Sequence, residues 1–146
     1  MTLQGTYEPS PSEWVRNHVE EYEASGGTAD IKVMGRPIVV ITSRGAKSGL
    51  LRKNPVMRIE HDGVYVAVAS KGGDTDNPSW YANFKANPVV DLQDGPTPLP
   101  YRAREVTGDE RAQWWERAVE AFPQYAEYAK ATDREIPVFV LEPVAE

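Results

Sequence analysis

Two groups of residues in this chain have the types and spacing to do chemistry. Gly45-Ala46-Lys47-Ser48-Gly49 is a glycine-bounded turn with Lys47 inside it and Arg52 and Lys53 just beyond. Glycines let backbone N–H groups turn toward one point. Lys47, Arg52 and Lys53 add charge-assisted hydrogen bonds, so a phosphate is the natural guest. The turn is not a P-loop, which has Gly directly before its Lys, another Gly five residues earlier and a helix after it. Here Ala46 precedes Lys47 and a strand is expected next. Taken alone, a tight surface hairpin explains the turn as well as a phosphate site does. The second group is Tyr125 and Tyr128, three residues apart on a short helix, so both hydroxyls can point one way. They suit the wall of a pocket; the alternative is that they cover the mouth of a barrel.

Other chemistry is excluded or weakly supported. The chain has no cysteine, hence no disulfide, no thiolate zinc site and no cysteine nucleophile. His18 falls on the apolar face of an expected helix and reads as packed; His61 sits in a hairpin turn and reads as solvated. Two histidines so placed make no metal constellation, and no Ser-His-Asp arrangement suggests itself. Most carboxylates lie on helix faces, where solvation is the default. With so little acid–base machinery, an enzyme built on this chain would lean on a cofactor for its chemistry.

Charge is unevenly distributed. Residues 31–59 contain no Asp or Glu and seven cations, Lys32, Arg36, Arg44, Lys47, Arg52, Lys53 and Arg58. The chain as a whole is −6, so the remainder is −13. A basic island in an acidic protein points to a local anion site, with chance clustering on a solvated strand pair as the alternative. Duplex nucleic acid would be repelled by the rest of the surface, and no nucleic-acid motif is present. At 146 residues, 40% hydrophobic and 26% charged, the chain suits one globular domain. No apolar run approaches the roughly 20 residues of a membrane helix. The N-terminus lacks a basic-then-apolar leader pattern, so a cytoplasmic setting is expected.

The elements that must position these groups can be read in order. Ser10-Pro11-Ser12-Glu13 has the form of a capping box with Pro at the first helical position, opening a helix to about Ala24 that Gly26-Gly27 stops. Strands are expected at 37–43, 50–59 and 64–70, with Pro55 marking an edge or a bulge and Asp62-Gly63 a tight hairpin. Asn77-Pro78 should cap a short helix through Asn87. Strands follow at 89–94 and 101–106. Thr107-Gly108-Asp109-Glu110 has the form of a second capping box before a helix to Ala121, and Pro123 separates it from a short helix. A last strand is expected at 136–144. Most of the late aromatics, Trp80, Tyr81, Phe84, Trp114, Trp115 and Phe122 among them, should be core. The fold class is mainly β with flanking α-helices: about six antiparallel strands forming a barrel, residues 31–146, preceded by a helical packing or lid segment, residues 1–30.

The runs GAKSGLLRKNPVMRIEHDG, VAVASKGG, NPSWYANFKANPVVDLQDG, YRAREVTGDERAQWW and IPVFVLEPV together resemble the deazaflavin-dependent nitroreductase family. Its members are coenzyme F420-dependent oxidoreductases of actinobacteria, related to flavin-binding split β-barrel proteins. The resemblance covers about residues 35–144 and implies a split β-barrel.

It also implies roles. Lys47 and Arg52 would grip the cofactor phosphate, with Ala46 lining the loop. Pro55, Val56 and Met57 would pass beneath the deazaflavin ring. Ser70, Lys71, Gly72 and Gly73 would meet the ring's polar edge, while Asn77, Trp80 and Asn83 would flank the cofactor. Tyr125 and Tyr128 match the family's substrate-side tyrosines, and Tyr128 or Ser70 would donate a hydrogen bond to the reduced acceptor. Two departures, Met57 and Ala131 where the nitroreductase that names the family has tyrosines, disfavour bulky nitro-aromatics.

The expected activity is therefore hydride transfer from reduced F420 (F420H2) to a small activated acceptor such as a quinone. A non-catalytic F420 carrier and an FMN-dependent oxidoreductase are the alternatives; the basic island favours F420 over singly phosphorylated FMN. A quinone acceptor would bring the chain near a membrane surface, although its first helix is acidic. Related barrels often pair, which makes a homodimer a further expectation. No metal is expected.

Overall fold

Alternation along the strands decides the architecture. The computed structural model describes residues 3–28, 32–71 and 77–144. Within them the order is α1 (Glu13–Ala24), β1 (Lys32–Val33), β2 (Arg36–Arg44), β3 (Leu51–Met57), β4 (Glu60–His61) and β5 (Val64–Val68). Then come α2 (Trp80–Ala86), β6 (Val89–Gln93), β7 (Pro98–Val106), α3 (Gly108–Ala121), α4 (Gln124–Ala131) and β8 (Val138–Pro143). Six strands were expected; the two additional ones, β1 and β4, are two-residue pairings too short to leave a period in the sequence.

All pairings are antiparallel, and the sheet runs β1-β2-β6-β7-β8-β5-β4 with β3 joined to β2 alone. The sheet curls so that β3 and β5 approach without sharing a ladder, which is a split barrel. The expected strand at 50–59 is thus broken. β3 follows β2 as far as Met57, opposite Ile38. Arg58 still donates its N–H to Pro37, but Ile59 already accepts from Val66 of β5. Pro55 lies on this strand, whose outer edge carries only an isolated parallel bridge between Leu51 and Tyr7. Its missing N–H costs nothing there. The Asp62-Gly63 hairpin is as read: both residues have positive φ, 53° and 81°, the signature of a type I′ turn.

The strands bury both faces. Val39 and Ile41 of β2, Val90 and Leu92 of β6, Tyr101 and Ala103 of β7, and Phe139 and Leu141 of β8 point inside the curl, where Trp80 and Phe84 of α2 plug it. Their neighbours point outward. Val66, Val138 and Val140 meet α3 and α4 through Trp114, Ala118 and Tyr125. Ile38 and Val40 meet α1 through Val19 and Tyr22. A sheet covered on both sides loses the polar half of the alternation, hence the run PIVVITS.

Three caps differ from expectation. The N-cap of α1 is Ser12, whose hydroxyl accepts from Val15 N at 3.3 Å, while Ser10 Oγ accepts from Ser12 N at 3.1 Å. Pro11 therefore precedes the cap, and Glu13 sits in the first turn, where its charge suits the helix dipole. Thr107 caps α3 without a side-chain bond, and the Glu110 carboxylate, the other half of a capping box, is drawn to Arg104 at 2.8 Å. Ser79, not Asn77, precedes α2, and Asn77 Oδ1 instead accepts from Arg134 at 2.9 Å. β7 also begins earlier than read, at Pro98, because proline's φ is compatible with an extended chain.

Tyr22 staples α1 to the barrel. Its hydroxyl donates to Gln93 O and accepts from Gly95 N, both at 3.0 Å. Gly27 passes so close to this turn that a Cβ would lie 1.9 Å from Gly95 O, and its φ is +74°. Tyr22→Phe should keep the fold but lower unfolding free energy by about 1–3 kcal/mol, because it strands a buried donor and an acceptor; urea denaturation measures this. Gly27→Ala should cost more than Tyr22→Phe in the same experiment.

Candidate functional site

Two cavities flank the N-terminal end of α2. The larger, about 560 Å³, opens where β3 and β5 part. β3 lines it with Pro55, Val56 and Met57; the end of β5 and the loop beyond contribute Val68, Ser70 and Lys71; α2 adds Trp80. Phe122, Tyr125 and Tyr128 close one side, and Trp14, His18, Lys32, Val33 and Met34 the other. The smaller, about 370 Å³, lies between the 45–49 turn and α2, lined by Ala46, Lys47, Ser48, Arg52, Ser79 and Asn83 among others. Among the described residues neither lining contains a carboxylate.

The turn is built by its glycines and by α2. Gly45 N donates to Leu50 O at 2.7 Å and Gly49 N to Gly45 O at 3.1 Å. A Cβ on Gly45 would come within 2.6 Å of Ser48 Oγ, and Gly49 has φ +72°. Asn83 Oδ1 accepts from Ala46 N at 2.9 Å, which docks the turn on the helix. That leaves the N–H groups of Lys47 and Ser48 without partners among the described residues. The Lys47 ammonium likewise has no carboxylate partner there.

The rest of the basic island behaves differently. Lys53 is bound to Glu23 of α1 at 2.5 Å and lies 4.9 Å from the ring of Tyr7; it lines neither cavity. Arg58 is bound to Asp94 at 2.8 Å. Arg52 contacts Glu8 at 3.4 Å while still lining the smaller cavity. Arg44 donates to the carbonyls of Gly49 and Gln4, at 2.8 and 2.6 Å. Three of the seven cations are thus offset by the protein's own carboxylates, which sequence distance hid.

In the larger cavity Tyr125 is only 4% exposed, its ring 4.9 Å from Phe122. Burial, with a smaller contribution from Tyr128, pushes its phenol well above the ordinary tyrosine range. Tyr128 is half-buried and its hydroxyl approaches Met34 Sδ at 3.9 Å. Ser70 is buried, and its carbonyl, with that of Ala69, accepts from Arg134 at 2.9 and 3.1 Å. The same guanidinium holds Asn77, which lines neither cavity. Gly72 and Gly73 lie outside the described residues.

The structure therefore brings Ala46, Lys47, Arg52 and Asn83 to one cavity, and Pro55, Val56, Met57, Ser70, Lys71, Trp80, Tyr125 and Tyr128 to the other. The wall made by α1 and the β1–β2 turn was missed. His18, read as packed, is half-buried and lines the cavity. Its Nδ1 bonds Trp14 O at 2.8 Å, and the two rings stack at 4.2 Å. Trp14 is 52% exposed, at the edge of the apolar stripe rather than its centre. That off-centre i, i+4 pair was the available signal. Among the described residues no group of His, Asp and Glu could hold a metal, and no helix is long and apolar enough to cross a membrane.

Known proteins are similar to this chain in sequence and fold. The model of the F420H(2)-dependent quinone reductase family matches residues 14–143. An F420H(2)-dependent quinone reductase of Mycobacterium tuberculosis is 33% identical over 131 residues, covering 87% of this chain and 88% of the relative. Among solved structures, an F420-H2 dependent reductase, FDR-A, superposes with a TM-score of 0.69 at 59% identity, covering 73% of this chain and 95% of that one. Another, described as a domain-swapped dimer, gives 0.71 at 55% identity, covering 91% and 100%.

Tyr125 generates a pH prediction. Its folded-state pKa is raised from the ordinary 10.0, so below that value both states hold the proton and stability is unaffected. As pH rises above it the unfolded chain ionises first, and stability falls. Chemical denaturation across the alkaline range should show this decline, and Tyr125→Phe should flatten part of it.

Proposed function

The chain belongs to the F420H(2)-dependent quinone reductase family, and we propose that its two cavities divide the work of that activity. The smaller receives the phosphate of the deazaflavin cofactor; the larger receives the ring and the acceptor. The residues fit the group. Two unpartnered N–H groups and the Lys47 ammonium, in a turn with no room for a Cβ at Gly45, are the donor set a phosphate needs. The larger cavity joins apolar walls to a few polar groups and no carboxylate, which suits a planar, anionic ring system. When bound, the reduced cofactor supplies a hydride to a quinone or a similar small activated acceptor.

In this reading Lys47, Arg52 and the amides of Lys47 and Ser48 bind the phosphate, with Ala46 and Asn83 holding the turn. Pro55, Val56 and Met57 form the floor under the ring. Ser70 and Lys71 meet its polar edge and Trp80 its flank. Tyr125 and Tyr128 orient the acceptor. Tyr125 keeps its proton and so acts as a hydrogen-bond donor that stabilises charge appearing on the acceptor oxygen. The aromatic walls exclude water and hold the acceptor at near-attack distance. Lys53 and Asn77 act from outside the cavities, Lys53 by tying α1 to β3 and Asn77 through Arg134. A homodimer belongs to the same reading, on the precedent of the similar domain-swapped structure.

The observation that carries the proposal is Lys47, with no carboxylate partner among the described residues, beside two amides likewise unpartnered there, at the smaller cavity. Titrating the protein with F420 by fluorescence should show tight binding, and F420H2 with menadione should be oxidised. Lys47→Glu should weaken F420 binding about tenfold or more, most strongly at low ionic strength. Unchanged affinity would remove Lys47 from the site.

A further inference from the structure

We propose that His18 is the proton donor to the reduced acceptor, a catalytic residue placed in the α1 wall of the larger cavity. The assignment rests on the hydride-transfer reading above. His18 shares the cavity with Met57, Ser70 and Tyr128. Its Nδ1 lies 2.8 Å from the carbonyl oxygen of Trp14. A carbonyl only accepts, so Nδ1 carries a hydrogen and the exchangeable position is Nε2. Nε2 has no partner among the described residues. The Trp14 ring, at 4.2 Å and 35°, fixes the plane of the imidazole.

The reaction requires a proton. Hydride from F420H2 converts a neutral quinone into a hydroquinone monoanion, and one proton completes the hydroquinone. In that step an O–H bond forms on the quinone oxygen and the Nε2–H bond breaks. The bonding pair stays on nitrogen, and Nδ1–H remains on Trp14 O. Solvent then reprotonates Nε2. The other proton carriers of the cavity suit the step less. The Tyr128 hydroxyl is turned to Met34 Sδ, whereas the imidazole presents to the cavity an Nε2 that has no partner among the described residues. Burial makes Tyr125 hold its proton more firmly.

The charged and titratable groups that share the cavity with His18 come from several elements: Lys32 of β1, Lys71 beyond β5, and Tyr125 and Tyr128 of α4. β3 and the end of α3 present only uncharged Pro55, Val56, Met57 and Phe122. On its own helix Glu21 lies one turn on.

The test compares wild type with His18→Asn, whose amide can keep the bond to Trp14 O, and with His18→Gln. Each is loaded with F420H2 and assayed with menadione between about pH 5.5 and 9, a range that spans imidazole ionisation. Wild-type kcat should fall as pH rises through that range. Both variants should lose about 100-fold in kcat at the acid end, with the pH-dependent limb abolished and F420 affinity retained. Independently, NMR of the cofactor-free protein should show the His18 imidazole resonance, assigned by its absence in His18→Gln, moving when menadione is added. Variants with wild-type kcat and an unaltered pH limb, or an imidazole blind to menadione, would overturn this assignment alone. Failure of the wild type to bind F420 would overturn the underlying reading, and this assignment with it.

Discussion

Between β3 and β5 the curled sheet carries no ladder. β3 pairs with β2 along all seven of its residues, but Pro55 in its middle has no N–H to offer an opposing strand. Beyond Arg58 the chain leaves β2 and takes up β5 only at Ile59 and the short β4. The barrel is therefore fastened at one end of this seam and open along the rest. The larger cavity occupies that opening, and the helices that flank it exist in positions where the sheet leaves apolar surface to cover. A fully closed barrel would have filled the space with alternating side chains.

The seam also explains why α1 belongs to the site. Its Val19 and Tyr22 cover the outward face of β2, and Tyr22 fixes its C-terminal end against the β6–β7 turn. With that end held, the other end lies over β3, where Trp14 and His18 meet Pro55 and Met57 across the cavity. On the opposite side Tyr125 is wedged by Phe122, so α4 presents its tyrosines from a packed base. Rigid elements on both sides hold the larger cavity to a defined width, which the proposed hydride transfer needs because its rate depends steeply on approach geometry.

Electrostatics are more local than the charge count suggests. Lys53, Arg58 and Arg52 each meet a carboxylate from a distant stretch of chain. Such partly exposed pairs add little stability. Of the cations without a carboxylate partner among the described residues, Lys47 lines one cavity and Lys32 and Lys71 the other. Among the described residues neither cavity lining holds a carboxylate, and family membership rather than total charge identifies the cofactor as F420.

The antiparallel strands, the β-branched run PIVVITS, the Asp62-Gly63 hairpin and the breaks at Pro88 and Pro123 were legible in the residues, because each depends on local backbone chemistry or side-chain branching. The glycine-bounded turn with Lys47 was legible for the same reason. That the barrel is split came from the family resemblance. Local signals failed where a distant partner competed for the same atom. Glu110 leaves its capping position for Arg104, Asn77 leaves its own for Arg134, and Lys53 turns from the 45–49 turn to Glu23. Only the fold set Trp14 and His18 opposite Tyr128. A helix reports which of its faces is apolar, but which strand that face meets, and what lies across the gap, depends on how the sheet curls. Curl is a property of all the strands together, and no single stretch of chain encodes it.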